Sequence, residues 1–221
     1  MSFPPEPWYL GGSLLVSVFR VPTADLPPEF AAGPKPRTVG RNTIVGAAFA
    51  NYRPGGVLAY DELLVATPTL AGGRLSVTIP QIWVDSPESL EGGRALWGIP
   101  KQLGNFENPD SSDSHRPDAA TVSMTTAAGP VASLTARPGR TLLPGMRQVA
   151  LPILQPSLAD GPGAGGNILS HNRVIGRIRA LSTDWTFDPH GALGYLAGHR
   201  PFASFALGDA SIVFGMDVQR S

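Results

Sequence analysis

Glycine and proline set the first limit on what this chain can fold into. There are 26 glycines and 23 prolines in 221 residues, spread from end to end. Proline removes a backbone donor and glycine weakens a helix, so long helices have little room to form. The short runs between them are rich in valine, isoleucine, leucine and threonine, which pack well on a pleated surface. The pattern predicts a mainly β (α+β) chain with few, short helices.

Strands are expected at Ser13 to Arg20, Thr43 to Ala50, Val57 to Ala66, Leu75 to Val84 and Ala120 to Thr126. Four more are expected at Val131 to Arg137, Val149 to Leu154, Asn172 to Leu181 and Ala210 to Val218. One helix is well signalled, Ser86 to Trp97, with Ser86 as N-cap, Pro87 at the first helical position and Pro100 as the terminator. A short turn is expected at Thr23 to Phe30, and Asp188-Pro189 marks the start of another short helix. Residues 104–118, 136–145 and 159–167 read as loops. No repeat or shift of composition divides the chain, so residues 1–221 are expected to form a single domain.

Charge and cysteine content narrow the chemistry. Seventeen basic and seventeen acidic residues cancel, so no electrostatic footprint points to nucleic acid or an anionic membrane. The chain has no cysteine, which excludes disulfides, thiolate metal sites and cysteine nucleophiles. No basic leader precedes a hydrophobic segment at the N-terminus, and no 18-residue apolar run occurs, so a cytoplasmic protein is expected.

Gly161, Gly163 and Gly166 match G-x-G-x-x-G formally, but Pro162 removes a phosphate-cradling N–H and a strand follows, so the stretch reads as a loop. His115, His171, His190 and His199 are too scattered for a metal-ligand spacing, and His171 reads as a hydrogen-bonded structural histidine. No metal and no cofactor is expected.

Lysine usage is the sharpest signal. Of the 17 basic residues only Lys35 and Lys101 are lysine. Lys101 follows a helix that carries Arg94 and Trp97 on one face, and Pro100 forces the chain to extend into it. It is the only charged residue between Arg94 and Glu107, amid Trp97, Ile99, Leu103 and Phe106. An apolar setting penalises a charged amine, and a neutral amine attacks carbonyls. The competing reading is a lysine that buries its stem and solvates its head. Upstream, VLAYDELLVA (57–66) places Tyr60, Glu62 and Leu64 on one strand face and Asp61 and Leu63 on the other. Glu62 therefore faces either a covered interior, where it needs a partner, or solvent at an edge.

GRALWGIPKQLG (93–104) resembles the G-R-E-x-x-x-x-P-K-K-L-G signature of acetoacetate decarboxylases, and VLAYDE resembles their Tyr-x-Glu strand. SLLVSVFRVPTADL and ASFALGDASIVFG are similar to the family's opening and closing segments. The resemblance implies an antiparallel, cone-like β-barrel or curved sheets, a homo-oligomer, and a reactive lysine that forms a Schiff base with a small keto acid or related carbonyl compound. It assigns the nucleophile to Lys101 and proton transfer to Glu62. Tyr60, Arg94, Gln102 and Trp97 would then orient substrate or pocket.

The chain also departs from the pattern. Gln102 stands where the family has a second lysine, whose charge tunes the reactive amine. Ala95 replaces the acid of G-R-E, a second pocket glutamate aligns near Ala47, and an arginine aligns near Gly12 or Ser13. These losses remove part of what would hold a substrate carboxylate and tune the lysine, which counts against acetoacetate itself as the substrate. They leave open aldolase-dehydratase chemistry on the same iminium, or a non-catalytic binding protein on the same barrel.

Overall fold

Thirteen strands form one sheet in the computed structural model, which describes residues 3–108, 120–158 and 165–221. Strand β1 (Trp8–Pro22) lies between β3 (Asn42–Tyr52) and β13 (Ala203–Arg220), antiparallel to both. From β3 the sheet continues through β4 (Tyr60–Ala71) to β5 (Arg74–Val84). On the other side β13 pairs with β12 (Asn167–Phe187). Strand β11 (Ile153–Pro156) then pairs with β12 and meets β5 in parallel, Ile153 opposite Val77. The path β5-β4-β3-β1-β13-β12-β11 thus returns to β5 and leaves these strands without an open edge.

Three further strands extend the sheet from β12: β9 (Gly129–Thr141), β8 (Ala120–Thr126) and β7 (Asn105–Glu107). Two short ones lie beside it, β2 (Thr38–Val39) on β3 and β10 (Arg147–Ala150) on β12. The expected mainly β fold built from curved antiparallel sheet is what forms.

Both faces of β3 and β4 are covered, because the sheet wraps far enough to enclose two apolar cores. Val45, Ala47, Phe49, Leu63 and Val65 pack with Val122, Leu134, Phe187 and Leu196 in one. Ala50, Tyr52, Tyr60 and Ile82 pack with Trp8, Trp97 and Ile212 in the other. The period-two alternation of β4 therefore sorts its residues between two interiors rather than between core and water.

Helix α1 (Pro87–Trp97) joins β5 to β6 (Lys101–Leu103), which runs parallel to β5 with Lys101 opposite Ile82. The side chain of Ser86 caps α1 as expected, its Oγ accepting from Ser89 N at 3.1 Å. Gly98, and not Pro100, stops the helix: it adopts φ 66°, and the N–H of Ile99 returns to the Gly93 carbonyl at 3.1 Å.

Several local expectations change. The strand expected at Val149 to Leu154 divides into β10 and β11, because Pro152 has no N–H to continue the ladder. The turn at Thr23 to Phe30 is two separate 3-10 turns, Thr23–Asp25 and Pro28–Phe30, and the one expected from Asp188 falls at Gly194–Leu196. Residues 105–107 and 136–141, read as loops, belong to β7 and β9. The 137–141 arm is exposed on both faces, which removes the alternation that marks a strand. His115, Gly161 and Gly163 lie outside the described residues. Among the described residues, no helix is long and apolar enough to cross a membrane.

A β-carbon at Gly98 would run into the carbonyl oxygen of Pro156, and its positive φ already disfavours any other residue. Gly98→Ala is expected to lower stability by at least ~1 kcal/mol in urea unfolding, with the slope unchanged.

Candidate active site

Three elements converge on one buried amine. Strand β6 carries Lys101, which is 3% exposed, and β4 carries Glu62, which is 4% exposed. Helix α1 brings Ser89, Gly92, Gly93 and Trp97 to its buried face, at the spacing of successive turns. That face is made of small residues where it matters. A β-carbon on Gly93 would lie 2.6 and 2.7 Å from Lys101 Cδ and Cε, so the lysine stem runs in the notch that this glycine leaves. A β-carbon on Gly92 would collide with the Trp8 ring in the same way.

The amine is fully engaged. Lys101 Nζ donates to Ser89 Oγ at 2.8 Å, Glu62 Oε2 at 3.1 Å and Tyr60 OH at 3.4 Å. The other carboxylate oxygen, Glu62 Oε1, accepts from Tyr52 OH at 3.2 Å. Burial, with Glu62 beside each ring, holds the Tyr52 and Tyr60 hydroxyls well above the ordinary tyrosine range. Both therefore remain protonated donors at neutral pH. Asp61 points to the opposite side of β4 and accepts from Asn51 Nδ2 at 2.7 Å.

This cluster opens on a cavity of about 100 Å³ inside the closed ring of strands. The rest of the wall is almost entirely hydrocarbon, including Leu10, Leu14, Leu64, Ile79, Ile153 and Ile212. Trp8 and Trp97 contribute rings only. Their indole N–H groups point elsewhere, to the Pro4 carbonyl at 2.9 Å and to Glu6 Oε2 at 2.9 Å.

Four of the six residues singled out by sequence meet here: Lys101, Glu62, Tyr60 and Trp97 all line the cavity. Arg94 and Gln102 do not. Arg94 is exposed and donates to the Lys101 carbonyl at 3.3 Å, bracing the backbone outside the cavity. Gln102 follows a buried residue on a strand and so faces outward, where it is exposed. Of the apolar neighbours expected for Lys101, Leu103 is exposed and Phe106 packs on the other core.

Ala47 also belongs to that other core, and Gly12 is pressed against the Asn51 carbonyl with no room for a side chain. His171 lies outside the cavity lining, and its Nδ1 has no hydrogen-bond partner among the described residues, contrary to the expectation of a hydrogen-bonded histidine.

Ser89 and Tyr52 were not singled out from sequence. Ser89 carried one signal, its three- and four-residue spacing to Gly92 and Gly93, which marks a tightly packed helix face. Tyr52 sits directly across β3–β4 from Tyr60, a pairing visible only once the register is known.

The sequence matches the acetoacetate decarboxylase (ADC) family over residues 7–154. The chain belongs to this family. As a member it is an enzyme of lyase type that processes carbonyl compounds with a lysine. No curated protein sequence matches it significantly.

Among solved structures it is similar to MppR, an enduracididine biosynthesis enzyme complexed with pyruvate, at 19% identity and TM-score 0.68, over 98% of this chain and 91% of that one. Another MppR structure holds the condensation product of pyruvate and imidazole 4-carboxaldehyde. Acetoacetate decarboxylase from Legionella pneumophila aligns at 16% identity and TM-score 0.65, over 97% of this chain and 87% of that one. An acetoacetate decarboxylase-like enzyme from Sphingomonas wittichii aligns at 15% identity and TM-score 0.64, over 97% and 92%. At these identities the structures establish the fold.

A buried ion pair is costly to break from one side, since the remaining charge loses its partner. Lys101→Met and Glu62→Leu are each expected to lower unfolding free energy by about 3–5 kcal/mol. The double variant should lose much less than the sum, measured as a double-mutant cycle by chemical denaturation.

Proposed function

We propose that this enzyme forms a Schiff base between Lys101 and a small carbonyl substrate, with Glu62 moving the protons. The observation that carries the reading is the 3.1 Å contact between Lys101 Nζ and Glu62 Oε2 at the wall of an apolar cavity. An amine needs its lone pair to attack a carbonyl carbon, and a carboxylate at this distance is placed to accept the proton that occupies it.

The steps balance without a cofactor. Nζ gives one proton to Glu62 and bonds to the carbonyl carbon, and Glu62 returns that proton to the carbonyl oxygen. The carbinolamine then loses that oxygen as water, which carries away a second proton from Nζ. One proton stays on nitrogen, so an ammonium and a ketone or aldehyde become an iminium and a water. Tyr60 and Tyr52, both held protonated, are positioned to donate to the oxygen and to Glu62 respectively. Ser89 Oγ, accepting from Nζ at 2.8 Å, helps to hold the amine in place.

The iminium withdraws electrons from the adjacent carbon, and two lyase outcomes follow from it. One is loss of carbon dioxide from a β-keto acid, the reaction for which the family is named. The other is making or breaking a carbon–carbon bond by aldol-type addition and dehydration. The condensation product held by MppR belongs to the second kind and supports keeping it.

Sodium borohydride reduction in the presence of small ketones and aldehydes, read by intact mass and peptide mapping, tests this reading. An adduct on Lys101 that Lys101→Arg abolishes is the expected result. No adduct across the panel, or adducts at Lys35 alone, overturns it. Glu62→Gln is expected to slow adduct formation by about 10²–10⁴-fold. Gly93→Ala, which displaces the lysine stem while keeping every polar group, is expected to slow it by at least ~10-fold.

A further inference from the structure

Resting on the Schiff-base reading, we infer that the substrate is an uncharged aldehyde or ketone with a short hydrocarbon chain, not a keto acid. The inference comes from the charges and polar groups of the cavity wall. Among the described residues that line it, Lys101 and Glu62 are the only charged ones, and they already pair with each other. The remaining polar capacity is confined to the Tyr52 and Tyr60 hydroxyls next to that pair.

Other polar side chains at the wall are committed elsewhere. Asn172 donates to the Leu151 and Ser170 carbonyls at 3.0 and 3.3 Å and accepts from Gly215 N at 2.7 Å. Both tryptophan N–H groups are bonded outside the cavity. The inward positions of β1 are Trp8, Leu10 and Leu14, all apolar. Arg94, the cation nearest in sequence to Lys101, spends a guanidinium N–H on the Lys101 carbonyl and lies outside the cavity.

Charge balance then discriminates between substrates. When a neutral carbonyl condenses, the iminium replaces the ammonium beside Glu62 and the buried site stays neutral. When a keto acid condenses, its carboxylate adds a negative charge that finds, among the described lining residues, no further cation and, beyond the two tyrosines, no free side-chain donor. The hydrocarbon wall suits an alkyl chain instead. The volume of about 100 Å³ favours a small molecule.

The test compares matched pairs that differ only in charge: methyl pyruvate against pyruvate, and methyl acetoacetate against acetoacetate, each trapped with borohydride. Exposed Lys35 in the same molecule corrects for intrinsic reactivity. The expected result is an ester-to-acid adduct ratio at Lys101 about 100-fold above the ratio at Lys35. Butanone and pentan-2-one should also modify Lys101. Equal or preferred trapping of the acids at Lys101 overturns the inference and leaves the Schiff-base reading standing. No Lys101 adduct with either member of a pair removes that reading, and this inference with it.

Discussion

The buried pair of Lys101 and Glu62 is the constraint around which the rest of the site is organised. Two opposite charges removed from water lose several kcal/mol of solvation each, and their mutual attraction offsets this only with good geometry and further hydrogen bonds. The surroundings meet those conditions. Ser89 and Tyr60 take the remaining protons of the amine, and Tyr52 satisfies the second carboxylate oxygen. The pair also explains the two adjacent glycines of α1. The helix can approach closely enough to deliver Ser89 only if Gly93 yields to the lysine stem and Gly92 to Trp8.

Holding the helix in that position falls to contacts on its far end. Trp97 stacks edge-on against Trp8 and Phe214, with ring centroids 4.8 and 4.6 Å apart, and rests on Gly215, where any β-carbon would strike the indole. Glu6 ties its indole N–H and the Arg220 guanidinium together, so segments from both ends of the described chain meet at the end of α1. The same closing of the sheet that gives β4 two apolar faces creates the cavity: Leu63 and Val65 fill one side, and Glu62 and Leu64 are left to line the other. Fold and site thus rest on a single feature, a sheet that curls far enough for its inner face to lack a filling.

Much of this was legible in the chain. Alternation along β4 separated Glu62 from Leu63, and scarcity of lysine drew attention to Lys101. The strand pattern followed from β-branched runs between turn residues. What escaped notice depends on long-range register or on exposure. Tyr52 joins the site because it pairs with Tyr60, which no local pattern reveals. Arg94 and Trp97, three residues apart on a helix, looked like one face, yet the close approach demanded by Gly92 and Gly93 turns Trp97 inward and leaves Arg94 at the surface. Gln102 was drawn toward the site by its neighbour, whereas a strand sends successive side chains to opposite sides. The β9 arm was missed because its exposed residues carry no hydrophobic period.

The most direct measurement of the central claim is a crystal structure of the protein reduced with borohydride in the presence of butanone. Continuous density from Lys101 Nζ into the space between Leu64, Ile82 and Ile212, with Glu62 still against the nitrogen, is the predicted result. An unmodified Lys101 with its three hydrogen bonds intact, in crystals where Lys35 has reacted, would contradict the account.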